Sequence, residues 1–247
     1  IQKMKSKGYP VHQLMFNDAV SQQALAQGTF VPPTAIELPN LDDLEREVFG
    51  PVLHIITYKY GELEQLIDRI NAKGYGLTMG LHTRIDETIN TVIQRAEVGN
   101  LYINRNIVGA VVGVQPFGGE GLSGTGPKAG GPLYMYRLME HCSEKVLATP
   151  FAVKSEVSTF EAVSNVAYQN LLTWAKQNMP QAIPTIPAFG VGKFYELQGP
   201  TGESNQYIIL PRHRVLSIAN DERAQLQQLL AIFAVGSSAA VTQDNPF

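Results

Sequence analysis

Residues 45–52, with the sequence EREVFGPV, combine side chains that could bind a nucleotide. Glu47 precedes Phe49 by two residues, and an apolar run begins at Val52. A carboxylate can accept hydrogen bonds from a ribose diol, and an aromatic ring offers a flat apolar face to a nicotinamide. The same residue types also occur as a solvated acid at a turn beside a core Phe. Both interpretations are open on these residues alone.

Residues 115–132 (QPFGGEGLSGTGPKAGGP) contain seven glycines. Glycines this dense predict neither a helix nor an ordinary strand, because they are tolerated where the backbone takes positive φ or closely approaches another group. Residues 119–124 spell G-x-G-x-x-G, but the glycines and prolines that follow prevent the helix that a dinucleotide-binding fingerprint requires. A phosphate loop also fails, because Pro127 precedes Lys128 and Ala129 stands where Ser or Thr is required.

Other reactive side chains show weaker patterns. Cys142, the single cysteine, has His and Glu as sequence neighbours, but adjacent side chains rarely face each other productively, which favours a structural thiol. The five histidines lack the spacing of metal ligands, so no metal site is predicted. The acidic residues between positions 42 and 47 are typical of a solvated face.

Composition narrows the class of protein. The 247 residues, of which 44% are hydrophobic, can bury one large core or two smaller ones. A net charge of −3 and a pI near 6.0 give no reason to expect nucleic-acid binding. No apolar run reaches the roughly 18 residues of a membrane span, and no secretory n-region and h-region pair opens the chain. One cysteine fits a reducing cytoplasm. The chain begins at Ile1 rather than Met, so we expect a fragment of a longer protein.

Alternating strand and helix signals position the residues of the first half. Apolar stripes at helical spacing predict one helix over 62–73, ended by Gly74, and another over 85–96, stopped by Gly99. Short apolar runs predict strands at 52–58, 77–83 and 101–104. The β-α-β-α-β succession predicts the α/β class, with a largely parallel sheet and helices on its faces.

A break around residues 145–156 predicts two domains, 1–148 and 149–247. In the second, helical spacing over 157–174 precedes a proline-rich connector at 179–187. Asn220 or Asp221 can cap a further helix that carries Leu226, Leu229, Leu230 and Phe233. Strands are predicted at 206–210, 214–219 and 239–242. This domain is also α/β.

Several segments together resemble the aldehyde dehydrogenase superfamily. Residues 47–52 (EVFGPV), 75–77 (YGL) and 99–104 (GNLYIN) are similar to landmarks of that family in the right order. Residues 104–112 (NRNIVGAVV), followed by the glycine-rich run, resemble one branch, the L-glutamate γ-semialdehyde (Δ1-pyrroline-5-carboxylate) dehydrogenases. Residues 199–205 (GPTGESN) look like the C-terminal domain of long bifunctional proline utilisation enzymes, which also carry proline dehydrogenase.

The resemblance implies specific roles for five residues. Glu47 would hold the ribose of NAD, and Phe49 would contact the nicotinamide. The N–H groups of Gly109 and Ala110 would bind the substrate carboxylate, with Phe117 against its aliphatic part. A glycine-alanine pair lets an anion approach backbone donors, although such a pair can also be a plain loop bend.

The implied reaction is the NAD-dependent oxidation of L-glutamate γ-semialdehyde to L-glutamate in proline catabolism. Family members use a cysteine thiolate that precedes the Glu-x-Phe-Gly-Pro segment, and no cysteine precedes Glu47 here. We therefore expect the nucleophile, the glutamate base and the dinucleotide-binding domain outside this chain. By this reasoning the chain contains no catalytic residue and is inactive alone.

The resemblance also implies partners. The parent polypeptide would bind FAD outside this segment, could form a homodimer, and would be cytoplasmic or peripheral at the inner face of the membrane. The second domain would have packing or lid duties. Two alternatives remain: an aldehyde dehydrogenase with another substrate, and a non-catalytic interaction module that kept the fold but lost the site.

Overall fold

The computed structural model describes residues 1–131, 133–141, 166–185 and 194–242. The chain divides into two compact units. The first comprises Ile1–Gly109 and Phe117–Ala129, and the second comprises Ala110–Pro116 and Gly130–Phe247. The predicted boundary between residues 148 and 149, and Cys142, lie outside the described residues.

The first unit begins with a small mixed sheet. Helices α1 (Gln2–Ser6) and α2 (Ala19–Gln27) flank strand β1 (Val11–Gln13) in the sequence. Strand β1 pairs antiparallel with β2 (Thr34–Glu37), which pairs in parallel with β3 (Val52–Ile55). Ile36, at the centre of β2, is 1% exposed, whereas Leu53 on β3 is 62% exposed. One face of the sheet is therefore packed, and alternate residues of β3 face away from this packing.

Two helices and two parallel strands follow. Helix α3 (Leu63–Ala72) ends before Gly74, whose φ of 77° suits glycine. Helix α4 (Asp86–Arg95) lies in the sequence between strands β5 (Thr78–Leu81) and β6 (Asn100–Ile103), which pair in parallel. Arg95 of α4 makes ion pairs with Glu64 at 3.0 Å and Asp68 at 2.6 Å on α3. The order of these elements along the chain confirms the predicted succession of helices and strands.

The strands of the first unit are not joined into one sheet. The predicted parallel sheet is present as two parallel pairs within the described residues, β2 with β3 and β5 with β6. Local apolar runs identify strands, but strand pairing depends on contacts between distant segments. The α/β class is confirmed, and the single continuous sheet is corrected to separate small sheets.

Residues 117–129, the larger part of the glycine-rich run, form an irregular loop that belongs to the first unit. Strand β7 (Glu120–Gly121) pairs antiparallel with the two-residue strand β4 (Tyr75–Gly76). A Cβ at Gly99 would overlap the carbonyl oxygen of Gly118, and one at Gly121 would overlap that of Gly74. No helix follows the G-x-G-x-x-G residues within this loop. These glycines permit close backbone contact inside the protein.

The second unit has its own helical core. Helices α5 (Val166–Asn178) and α6 (Glu222–Ala234) bury Ala175, Leu226 and Leu230 together with Ala182. Asp221 is the N-cap of α6, because its carboxylate accepts a hydrogen bond of 2.8 Å from the Ala224 N–H. The strands are β8 (Phe194–Leu197), antiparallel to β9 (Asn205–Ile208), and β10 (Arg214–Leu216), parallel to β11 (Ser238–Ala240). The three strands predicted for this domain are confirmed as β9, β10 and β11, each shorter than expected, and the helix predicted to follow Asn220 or Asp221 is confirmed as α6.

Candidate active site

Glu47 and Phe49 lie on the extended segment between the 3₁₀ turn Leu41–Asp43 and β3. Phe49 is 87% exposed, so the alternative in which this ring belongs to the core is wrong. Glu47 is also exposed. Both side chains are therefore accessible to a ligand on the surface of the first unit.

The acids that precede Glu47 are all paired. Asp43 accepts hydrogen bonds from the Tyr9 hydroxyl at 2.7 Å and Lys7 Nζ at 3.0 Å, which together lower the pKa of its carboxyl group. Glu45 is bound by Lys3 Nζ at 2.7 Å, and this bond lowers the pKa of Glu45. Asp42 contacts Arg69 at 3.1 Å. Glu47 has no hydrogen bond or ion pair within the described part of the chain, so its carboxylate is available.

The loop that follows β6 is held at its first residue, Asn104, by hydrogen bonds, and its backbone is less closely packed at Gly109. Asn104 takes a left-handed φ of 55°, and its side chain binds the Thr83 backbone. Ile107 then lies over Gly80, where any Cβ would collide with the Ile107 side chain. At Gly109 no atom of a described residue, apart from the glycine and its two chain neighbours, lies within 4 Å of the position that a Cβ would take. The backbone at this half-buried glycine therefore borders free space.

Gly109 and Ala110 keep their amide protons free. Both residues are half-buried, and neither N–H donates a hydrogen bond to any residue that the structure describes. Leaving a half-buried N–H group without an acceptor costs free energy unless a ligand or water accepts its hydrogen bond. This pair of free donors is the feature expected of a backbone anion site.

The turn after Ala110 is closed by hydrogen bonds within the second unit. The carbonyl oxygen of Val111 accepts from the N–H groups of Val114 and Gln115, each at 3.0 Å, and Gly113 has φ of 80°. The Val111 N–H donates to Gln115 Oε1 at 3.1 Å. Gln115 Nε2 donates to Asn205 Oδ1 at 2.8 Å. Neither Gln115 nor Asn205 was predicted from the sequence to hold this turn. The available signal was that Gln115 begins the glycine-rich run and Asn205 ends the segment 199–205.

Phe117 is fixed by backbone bonds to the far end of the glycine-rich loop. Its N–H donates to the Ala129 carbonyl at 3.0 Å, and its carbonyl accepts from the Ala129 N–H at 2.9 Å. Next to this bridge, burial lowers the pKa of Lys128 to about 8, while the charge of Glu120 partly opposes the change. Phe117 itself is half-buried.

The structure thus places the five predicted residues in two units. Glu47, Phe49, Gly109 and Phe117 belong to the first unit, and Ala110 to the second. Their meeting at one site stays a prediction. Within the described ranges, no group of three or more His, Cys, Asp and Glu residues could hold a metal ion. In the same ranges no helix has the length and apolar character needed to cross a membrane.

Comparison with known proteins gives a consistent pattern. A model of the aldehyde dehydrogenase family matches residues 1–143. The bifunctional protein PutA of Escherichia coli K12 is 50% identical over 99% of this chain, which covers 19% of that protein. PutA of Rhizobium meliloti is 48% identical over 98% of the chain and is also covered to 19%. The 1-pyrroline-5-carboxylate dehydrogenase of Bacillus licheniformis is 39% identical over 51% of the chain and is covered to 24%.

Among solved structures, proline utilization A from Corynebacterium freiburgense matches 97% of the chain with a TM-score of 0.60. The sequence identity is 28%, and the match covers 24% of that protein. The chain therefore spans about a fifth of the length of the PutA proteins it matches.

Proposed function

This chain belongs to the aldehyde dehydrogenase family, and we propose that it forms part of an NAD-dependent enzyme that oxidises L-glutamate γ-semialdehyde to L-glutamate. The half-buried amides of Gly109 and Ala110, which donate no hydrogen bond to a described residue, carry this proposal. A semialdehyde of this kind differs from simple aldehydes by its α-amino acid end, so an enzyme selective for it needs a site for a carboxylate. Similarity to the 1-pyrroline-5-carboxylate dehydrogenase of Bacillus licheniformis over 51% of the chain supports the same substrate.

The complete enzyme is proposed to be a longer polypeptide. The chain covers only 19% of the PutA proteins that it resembles along almost its full length. The remainder would supply the thiol nucleophile, the general base, the dinucleotide-binding domain and a proline dehydrogenase domain with FAD. Residues 1–148 would then complete the aldehyde dehydrogenase domain, and residues 149–247 would form an appended domain of a cytoplasmic enzyme.

Gly109 and Ala110 would hold the substrate by its carboxylate. Two backbone donors can share one anion without carrying a counter-charge, and a small side chain permits the close approach that these bonds require. Bonds to a charged acceptor are stronger than neutral ones. The phenyl ring of Phe117 would cover the methylene groups of the substrate, which would keep the aldehyde end in a fixed direction.

Glu47 and Phe49 would hold the cofactor. The Glu47 carboxylate has no partner among the described residues, and Phe49 is 87% exposed, so both fit a ligand with a diol and a flat ring. When bound there, NAD supplies the acceptor for the hydride of the aldehyde carbon. The contribution of this chain would be orientation, because Glu47 would fix the ribose and Phe49 would limit rotation of the ring.

A pair of substitutions in the full-length protein tests the cofactor site. Glu47→Ala should raise the KM for NAD by about 10-fold to 100-fold, since hydrogen bonds to a charged group contribute about 1.5 to 3 kcal/mol. Glu45→Ala is the matched control, because that acid is already bound by Lys3. An unchanged affinity for NAD in Glu47→Ala would favour the non-catalytic interaction module.

A further inference from the structure

Gln115 links the proposed carboxylate-binding loop to a distant strand. Its Oε1 accepts the Val111 N–H at 3.1 Å, and its Nε2 donates to Asn205 Oδ1 at 2.8 Å. Asn205 is the first residue of β9, 90 positions further along the chain. One side chain thus connects the backbone of the loop to a residue of a paired strand.

Asn205 is held in place on its other side. Its Nδ2 atom is buried and has no hydrogen-bond partner among the residues described here. Gly199 lies so close that a Cβ at that position would collide with Nδ2. Strand β9 is paired with β8 through four residues. The Gly199 backbone therefore closely approaches the Asn205 side-chain amide, and Oδ1 of the same amide accepts the hydrogen bond from Gln115.

The bond between Gln115 Oε1 and the Val111 N–H uses one backbone donor of the loop and leaves the two before it. Gln115 Oε1 accepts the hydrogen bond of the Val111 N–H, while the half-buried N–H groups of Gly109 and Ala110 have no acceptor among the described residues. Backbone amides bind an anion well only when their direction is fixed beforehand, because ordering a loop on binding costs free energy. A loop without this anchor would lose part of its affinity for the anion.

We infer that Asn205 is a positioning residue for substrate selectivity, acting through Gln115 to fix the loop that binds the substrate carboxylate. This inference rests on the proposed function. It assigns to the GPTGESN segment at 199–205 a specific role in the dehydrogenase reaction, in addition to packing within its own unit. A purely structural role would affect all aldehydes alike, whereas a positioning role affects only substrates with the carboxylate.

The test compares two aldehydes in the full-length protein. Asn205→Ala should raise the KM for L-glutamate γ-semialdehyde by about 5-fold to 10-fold, the equivalent of one lost neutral hydrogen bond. The KM for propanal, which has no carboxylate, should stay unchanged, and so should kcat for both substrates. Gln206→Ala is the matched control, because this exposed neighbour on β9 bonds to Glu196 and not to the loop.

A second variant removes the same hydrogen bond by substituting its partner in the loop, Gln115. Gln115→Ala should give a selective rise at least as large, because it removes the bond to the Val111 N–H as well as the bond to Asn205. The double variant Gln115→Ala with Asn205→Ala should be no worse than Gln115→Ala alone, since Asn205 acts only through Gln115. If Asn205→Ala does not fold, the Gln115→Ala comparison decides. Equal increases in KM for both aldehydes, or no change in either variant, would overturn the inference. A wild-type enzyme that prefers propanal would instead refute the proposed function itself.

Discussion

Asn104 binds the backbone of Thr83 through both ends of its side-chain amide. Its Oδ1 accepts from the Thr83 N–H at 3.0 Å, and its Nδ2 donates to the Thr83 carbonyl at 2.9 Å. These two residues follow the parallel strands β6 and β5, so the pair ties together the carboxyl ends of the strands. The loop that carries Gly109 begins at this point.

Asn104→Ala should therefore destabilise the protein by about 2 kcal/mol. The substitution removes two hydrogen bonds, each with a net contribution of about 1 kcal/mol, at a φ of 55° that Asn tolerates better than Ala. Asn104→Gly should lie between Ala and wild type, because glycine accepts the backbone angle but lacks the bonds. Urea unfolding of the three proteins measures the order, and a Gly variant less stable than the Ala variant would contradict it.

Gly99→Ala should lower stability by about 3 kcal/mol, near the upper limit for overpacking. The new methyl group would meet the carbonyl oxygen of Gly118, and a backbone atom cannot move away as a flexible side chain can. Thermal unfolding of the purified variant gives the effect. A melting temperature equal to that of wild type would show that the glycine-rich loop does not rest on Gly99.

Gly109→Ala should change substrate binding without a loss of stability. Apart from the two chain neighbours, no described residue lies within 4 Å of the added methyl group, and the backbone here is not left-handed, so folding should tolerate alanine. In the full-length enzyme the methyl group would hinder the approach of a carboxylate, and the KM for L-glutamate γ-semialdehyde should rise about 10-fold.

The same experiment separates the alternative substrates. Ala110→Leu should act in the same direction as Gly109→Ala, and propanal serves as the control substrate. Unchanged kinetics on the semialdehyde in both variants would favour an aldehyde dehydrogenase with a different substrate.

Lys128 should make stability depend on alkaline pH. Burial lowers its pKa to about 8 from the ordinary value of 10.5. Below pH 8 the amine is protonated in both the folded and the unfolded state, and the buried charge reduces stability. Between about pH 8 and pH 10.5 the unfolded chain binds more protons, so stability rises with pH across this window.

Lys128→Met removes that dependence. We expect the variant to exceed wild type in free energy of unfolding by about 2 to 3 kcal/mol at pH 7. The difference should shrink as pH rises and become small only above about pH 10.5. Urea unfolding at pH 7, 9 and 10.5 measures the gap, and a gap that stays constant with pH would show that Lys128 is not buried as described.

Asp221→Ala should destabilise helix α6 by about 1 kcal/mol, because it removes the acceptor of the Ala224 N–H. Asp221→Asn should retain most of the cap, since an amide oxygen also accepts. Asn220→Ala is the control for the other residue that the sequence allowed at this position. Circular dichroism during urea unfolding records the loss, and equal effects at positions 220 and 221 would rule out a single N-cap.

The amino-acid sequence by itself determined the features that depend on neighbouring residues. Apolar spacing located helices α3 and α4, Gly74 marked the end of α3, and the glycine-rich run was recognised as an irregular loop. The segment with Glu47 and Phe49 was singled out because an acid and an aromatic ring at fixed spacing are visible in one short stretch, and the structure then decided that Phe49 is exposed. Periodicity and capping are local properties, and a few residues specify them.

Only the tertiary structure decided which distant groups meet. It showed that Gly99 and Gly121 closely contact other backbone segments and that Gln115 bonds to Asn205. It also showed that Glu47 has no partner among the described residues, whereas Asp42, Asp43 and Glu45 each have one. Residues 90 positions apart leave no periodic signal, because their contact depends on how the intervening elements pack. The sequence therefore shows the chemical types of the candidate site residues, and the tertiary structure decides which of them have hydrogen-bond partners.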